Sequence, residues 1–376
     1  MAEKKHSRVT ENEKKRHKKA VKRNRFLAGL GIAVLVVALV AFGANKFISG
    51  MYNGGETIDE DIRTAEDLQD KVINVLVCGI DYEAGRDMGM TDVIMYVTLD
   101  VEGNKVSAMQ IPRDVYIGDD VKTGGTKKIN GVYSHGDEKD QIMNLVKAIN
   151  DKLSLPVDHY VTLDMEAFVT MVNGIDWGFE MYVPCEVVLK DNKTGQETVM
   201  IAEPGWYTLS GEDVEKIVRN RNYRGSDTQR SEVQRYFYAS LIKNFRDNLS
   251  VSDFIKVMSR FTEYLTTDMH WTTIASMAKF GFGVDFNDMT LIKPATHGYN
   301  VIYTGNTYEL NIQHFVKDDL ADTLNEYFRP YQDPVPADEL EIPGTPPAGE
   351  VTRDWGVVAA SKTTIGELLG NASAQQ

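Results

Sequence analysis

Three apolar runs, at residues 72–77, 93–99 and 106–111, are rich in β-branched residues and bounded by Gly, Asp and Asn. Runs of this length and composition predict buried β-strands. Each meets charge at its end: Asp81 follows the first, Asp92 precedes the second, and Arg113 with Asp114 follows the third. Carboxylates and a guanidinium are thereby expected at strand ends, where α/β sheets place their ligand sites. The polar, Gly-containing stretch from Asp100 to Lys105 has hairpin length, which predicts that the second and third strands pair antiparallel.

Helical periodicity follows over 137–153, through Ile142, Leu145, Val146 and Ile149, and again over 211–218 and 227–249. Shorter helical stretches are read at 64–70, 251–265 and 271–280, with a buried helix turn at 165–172. Strand patterns at 179–183 and 198–201 flank a polar excursion at 190–195. This alternation predicts an α/β fold, a mixed central sheet flanked by helices around a single core. The apolar segments at 142–149, 165–172 and 236–242 are read as ordinary core, with the lining of a lipid tunnel as the alternative. From residue 330 the chain carries five prolines within 331–350, and 330–376 is expected to be a mobile tail with a weak helical patch at 364–369.

Charge divides the chain unevenly. Residues 1–25 hold eleven Lys or Arg against three Glu, whereas the remainder is strongly acidic. Residues 26–44 carry no charge and are long enough to cross a bilayer as a helix. The basic block then stays in the cytoplasm and everything after it lies outside, a single-pass arrangement in the cell membrane. A cleaved signal peptide is the rival reading, since Ala41 and Gly43 are small enough for a peptidase. The basic block is assigned to topology and anionic lipid, and no nucleic acid is expected as a partner, because 25 residues are too few to build a folded DNA-binding domain. Residues 45–70 read as an extracellular linker. Cys78 and Cys185 are the two cysteines, and whether they are bridged is left open. No HExxH, P-loop or Gly-x-Ser-x-Gly pattern is present, and His159 beside Tyr160 is read as structural.

A second charged stretch answers the strand ends. Arg219, Arg221, Arg224, Arg230 and Arg235 crowd together with Asp227 and Gln234. Arg219 and Arg221 alternate, and in extended chain they point the same way. Guanidinium forks suit phosphate oxygens. Arg230 and Gln234 lie four apart on a helix that Asp227 is positioned to cap, so they share a face. The plainer reading of such a cluster is a solvated, ion-paired helix start.

Taken in order, the blocks NVLVCGID, Thr91-Asp92, SAMQIPRDVYI, KKINGVYSHG, VDHYVTLDMEAF and VRNR with DTQRSEVQ resemble the LytR-CpsA-Psr family over residues 72–245. The resemblance implies a phosphotransferase of the Gram-positive cell envelope. Such an enzyme moves a glycopolymer of teichoic acid or capsule type from an undecaprenyl-pyrophosphate carrier onto peptidoglycan. It further implies a catalytic domain over 71–329 and a divalent metal, magnesium or manganese, held by Asp81 and Asp92. Arg113, Arg219 and Arg221 fall where the family clamps the pyrophosphate, and Gln234 matches a head-group contact. Asp114, Asp227 and Arg230 match positions that brace the site. Two positions depart from the pattern: Met90 stands where an arginine is usual, and Val233 precedes Gln234 in place of another arginine. Arg86, Arg224 and Arg235 are the candidates to replace the missing charge. The competing function is a low-activity or non-catalytic envelope protein that binds polyprenyl-pyrophosphate glycans or peptidoglycan.

Overall fold

The computed structural model describes residues 57–81, 89–164, 169, 172–173, 178–191, 194–220, 222–224, 226–248, 265–270, 273, 277, 280 and 284–374. The expected membrane helix at 26–44 and its basic flank lie outside the described residues, among which no helix is long and apolar enough to cross a membrane.

The three apolar runs form β1 (Val72–Asp81), β2 (Met90–Asp100) and β3 (Lys105–Ile111). The hairpin between β2 and β3 closes where Asp100 pairs with Lys105. Its turn is locked by the Gly103 N–H donating to Asp100 Oδ1 at 2.7 Å. A Cβ on Gly103 would meet that carboxylate at 2.1 Å, so a larger residue there would displace the Asp100 side chain from this bond. Next come α1 (Gln141–Leu153) and β4 (His159–Asp164), which pairs parallel to β1. Two small antiparallel pairs follow, β5 (Phe179–Val183) with β8 (Gly205–Leu209) and β6 (Val187–Lys190) with β7 (Glu197–Ile201). Then come α2 (Gly211–Arg219), α3 (Ser226–Asn248) and β9 (Leu265–Thr267). The helix α3 starts at Ser226, so Asp227 lies inside its first turn and not at the expected cap position.

The C-terminal third holds β10 (Thr290–Lys293), β11 (Thr296–Tyr303), β12 (Glu309–Phe315), α4 (Lys317–Tyr327), β13 (Gly349–Val358), β14 (Ser361–Thr364) and α5 (Ile365–Ala374). A seven-stranded mixed sheet runs β14-β10-β3-β2-β1-β4-β9, and a separate antiparallel sheet runs β12-β11-β13.

Side chains alternate across the large sheet. Val75, Val77, Met95 and Val97 join α3 and β5 in one core, while Leu76, Cys78, Ile94 and Tyr96 join α1 and α4 in another. The expected single core is therefore two, one on each face of the sheet. Segments 142–149 and 236–242 lie on opposite faces, so they cannot line a common tunnel. Cys78 and Cys185 are both free thiols and belong to different cores, which excludes a bridge between them. His159 is structural: its Nδ1 lies 2.9 Å from Asp268 Oδ2, and Asp268 also accepts the Tyr160 N–H.

The expected tail at 330–376 is part of the fold. Val335, Leu340 and Ile342 from the Pro-rich stretch are buried against the core of α1. The Ile342 N–H donates to the Lys152 carbonyl at 3.0 Å, and Lys317 Nζ donates to the Leu340 carbonyl at 2.8 Å. Proline restricts the unfolded chain, so such a segment loses less entropy when it docks. Beyond it, β14 pairs with β10 and completes one edge of the large sheet, while α5 buries Ile365, Leu368 and Ala372 in the core of α3.

Candidate functional site

The chemistry collects where β1, β2 and β3 end. Along β1 and β2 the register runs Gly79 to Val93 and then Ile80 to Thr91, so Asp92 is the additional residue of a β-bulge. A bulge bends its strand and re-aims a side chain, a feature common beside active sites. Here it delivers the Asp92 carboxylate, 10% exposed, to the residue that follows β3: Arg113 Nη1 donates to Asp92 Oδ1 at 2.7 Å.

Arg113 does not serve Asp92 alone. Its Nε lies 3.6 Å from Asp114 Oδ2, and Lys128 Nζ reaches Asp114 Oδ1 at 2.6 Å. Burial works against the Arg113 charge, but the Asp92 and Asp114 carboxylates outweigh it and push its pKa up. Burial likewise opposes the Asp114 carboxylate, and Lys128, Arg113 and Arg230 overcome it and hold its pKa below the usual value. The effect of Arg230 brings α3 into the site. Gln234, one turn on, accepts from Gln110 Nε2 of β3 at 3.4 Å, so both residues of the expected helical face turn toward the same strand end.

Asp92, Arg113 and Asp114 are thus brought together, with Arg230 acting on the Asp114 charge and Gln234 touching Gln110 of β3. Asp92 has no cation beside it in sequence, and the fold supplies one from 21 residues away in Arg113. Asp81 ends β1 with its backbone opposite Met90; its side chain lies outside the described residues. Arg219 is the last residue of α2, so extended chain begins only at Asn220. The Arg219 and Asp227 side chains and all of Arg221 lie outside the described residues, as does Arg86.

Two of the proposed replacements for the missing arginines are engaged elsewhere. Arg224 is 82% exposed and pairs with Glu186 at 3.0 Å, and the Arg235 guanidinium binds Thr363 of β14. Val233 is fully buried in the core of α3, so that position packs and does not face the charged cluster.

The residues missed as site members are Lys128, Gln110 and Asn130. Lys128 and Asn130 sit in the KKIN block, which marks them only as neighbours in sequence. Asn130 donates its backbone N–H to the Arg113 carbonyl at 3.3 Å, and its own carbonyl accepts from Thr91 Oγ1 at 3.4 Å. Its side-chain Oδ1 is buried without a hydrogen-bond partner. That oxygen and the Asp92 carboxylate are hard donors of the kind magnesium takes. Among the described residues no group of three or more His, Cys, Asp and Glu converges.

A profile of the LytR_cpsA_psr family matches residues 46–325. The polyisoprenyl-teichoic acid–peptidoglycan teichoic acid transferase TagV of Bacillus subtilis (strain 168) is 28% identical over 211 residues, 55% of this chain and 52% of TagV. The transferase of the same description named TagT, from the same strain, is 23% identical over 269 residues, 68% of this chain and 80% of TagT. In the first of these matches the chain spans about half the length of the curated relative. The crystal structure of B. subtilis TagV superposes with a TM-score of 0.52 at 21% identity, over 69% of this chain and 97% of that one, which shows a shared fold.

Proposed function

Because the chain belongs to the LytR_cpsA_psr family, we propose that it is a membrane-anchored, extracellular phosphotransferase that attaches a polyprenyl-pyrophosphate-linked glycopolymer to peptidoglycan. The observation that carries this reading is the paired array Asp92–Arg113–Asp114–Lys128 at the strand ends, with Arg230 and Gln234 of α3 beside it.

In the proposed reaction an acceptor hydroxyl oxygen bonds to the phosphorus next to the glycopolymer. The bond from that phosphorus to the bridging oxygen breaks, polyprenyl phosphate leaves with the bond's electron pair, and the hydroxyl proton passes to solvent or a nearby carboxylate. Phosphoryl transfer depends mainly on positioning and charge neutralisation. Arg113 and Lys128 are pre-oriented by Asp92 and Asp114, so they need not reorganise as charge builds. Their carboxylate partners also cancel much of their charge: three cations, Arg113, Lys128 and Arg230, stand against two carboxylates. Arg219 and Arg221 are accordingly assigned the surplus charge that clamps the pyrophosphate, with Gln234 on the head group and Asp227 as a brace. A magnesium or manganese ion, held by Asp92 with Asp81 and Asn130, would supply further neutralisation of the phosphate oxygens.

The test is incubation of the chain with a lipid-pyrophosphate glycan and peptidoglycan, with and without Mg²⁺. Metal-dependent release of polyprenyl phosphate is expected, and its absence with an authentic donor and acceptor sinks the enzyme reading. Met90 favours the second reading, a slow enzyme or a binder, because methionine contributes no charge at a position directly opposite Asp81. Met90→Arg is expected to raise transfer with little change in donor affinity, since only interactions stronger in the transition state speed the step.

A further inference from the structure

The three-stranded sheet is built beside the site. The Gln313 N–H of β12 donates to the Asp114 carbonyl at 3.0 Å, and the Tyr116 N–H donates to the Gln313 carbonyl at 2.7 Å. One face of the sheet is closed, with Val301 and Ile312 buried against Tyr116. The other is a polar floor. Asn300 at its centre donates to Glu309 Oε2 and accepts from Asn311 Nδ2, both at 2.8 Å, and Trp355 Nε1 donates to the same Asn300 Oδ1 at 2.8 Å. The indole reaches over Gly298, where a Cβ would meet Trp355 Cβ at 3.4 Å. Arg353 stacks on the indole with its guanidinium carbon 3.6 Å from the ring centroid, yet Trp355 remains 50% exposed.

A tryptophan usually buries its ring and satisfies its N–H together. Here the N–H is satisfied by an amide fixed on the sheet and Arg353 covers one face of the ring, while half of the residue's surface stays open to solvent. That pairs an apolar stacking plate with a row of amide and carboxylate groups, which is the surface a sugar ring needs: C–H bonds on its flat face and hydroxyls around its rim. The strand that supplies Trp355 lies beyond the family-matched residues 46–325.

We propose that the outer face of β11-β12-β13 is a docking platform for the sugar backbone of the acceptor peptidoglycan, an inference that rests on the transferase reading above. Charge selects this occupant over the donor polymer. Arg353 is the sole Lys or Arg on the three strands, against Glu309 and Glu350, while Asp354 is paired with His297. A phosphate-rich chain would be repelled, whereas a sugar backbone needs no counter-charge. Because β12 is bonded to the segment that carries Asp114, a glycan strand lying on the platform is led toward the transfer site.

The test is cosedimentation of the full chain, in detergent micelles, with purified peptidoglycan stripped of attached polymer. Trp355→Ala should weaken sedimentation about tenfold and Trp355→Phe should restore most of it, the behaviour of a stacking contact. Asn311→Ala, at an exposed position, should weaken it about threefold, and it decides the matter if Trp355→Ala melts early. Binding of the lipid-linked donor should be unchanged in all three. Peptidoglycan binding at the wild-type level in folded Trp355→Ala or in Asn311→Ala overturns the platform. Loss of donor binding with peptidoglycan binding intact also overturns it, by giving the face to the donor. Trp355-dependent sedimentation without release of polyprenyl phosphate would overturn the transferase reading while leaving the platform standing.

Discussion

At the end of the large sheet Asp92 and Arg113 are 10% and 26% exposed, and each charge is held by an opposite one. On the small sheet the polar groups are mostly exposed and bonded to one another, and its most prominent group is an open indole. Both are networks, but truncation acts on them differently. Removing a member of the first leaves a poorly hydrated charge with one partner fewer. A truncation in the second lets water take the vacated hydrogen bonds. The first is therefore built for charge held in place, and the second for reversible contact.

The largest effect is expected from Arg113→Ala, which takes the Arg113 ion pair from Asp92 and loosens Asp114. A loss of about 2–4 kcal/mol in urea unfolding is expected, with transfer down at least about a hundredfold. Arg113→Lys should recover stability better than transfer, because an ammonium keeps the charge and loses the fork. A near-neutral Arg113→Ala would place the two networks in one class.

A pH series sharpens the contrast. The folded Asp114 carboxyl is held below its ordinary range, so its contribution to stability is present above the unfolded pKa and is lost as pH falls through the folded one. The Asp114-dependent part of stability, read as the difference between wild type and Asp114→Asn, should stay flat from neutral pH to about pH 5 and decline only below about pH 4. A difference that already declines near pH 6 would contradict the paired state of Asp114.

The smallest effect belongs to the exposed network. Asn311→Ala should change stability by no more than about 0.5 kcal/mol, checked by thermal melting, even though it reduces peptidoglycan sedimentation. A loss several times larger would mean that the small sheet is a structural unit first.

Local pattern carried the first half of the fold well. The runs at 72–77, 93–99 and 106–111 appear as β1, β2 and β3, and the hairpin closes at Asp100 and Lys105 as the turn residues require. The later strands were not legible. In β11 and β12, one face packs on Tyr116 and the other is polar, so the apolar signal is halved and interrupted by His297, Asn300 and His314. The Pro-rich stretch misled for a related reason. Few apolar residues lie in it, and the three that bury, Val335, Leu340 and Ile342, are spaced without strand or helix period.

The sequence by itself determined the inventory: carboxylates and arginines at strand ends, the family, and helix spacing that turns Arg230 and Gln234 to one side. These follow from composition and short-range periodicity, which are local properties of the chain. Only the tertiary structure decided how the inventory is used. The bulge that projects Asp92, the Arg113 bridge between two carboxylates, the capture of Arg235 by Thr363 and the division of the apolar segments between two cores all depend on which distant strands pair and in what register. A shift of one residue in that pairing would exchange the faces of a strand, and no local pattern specifies it.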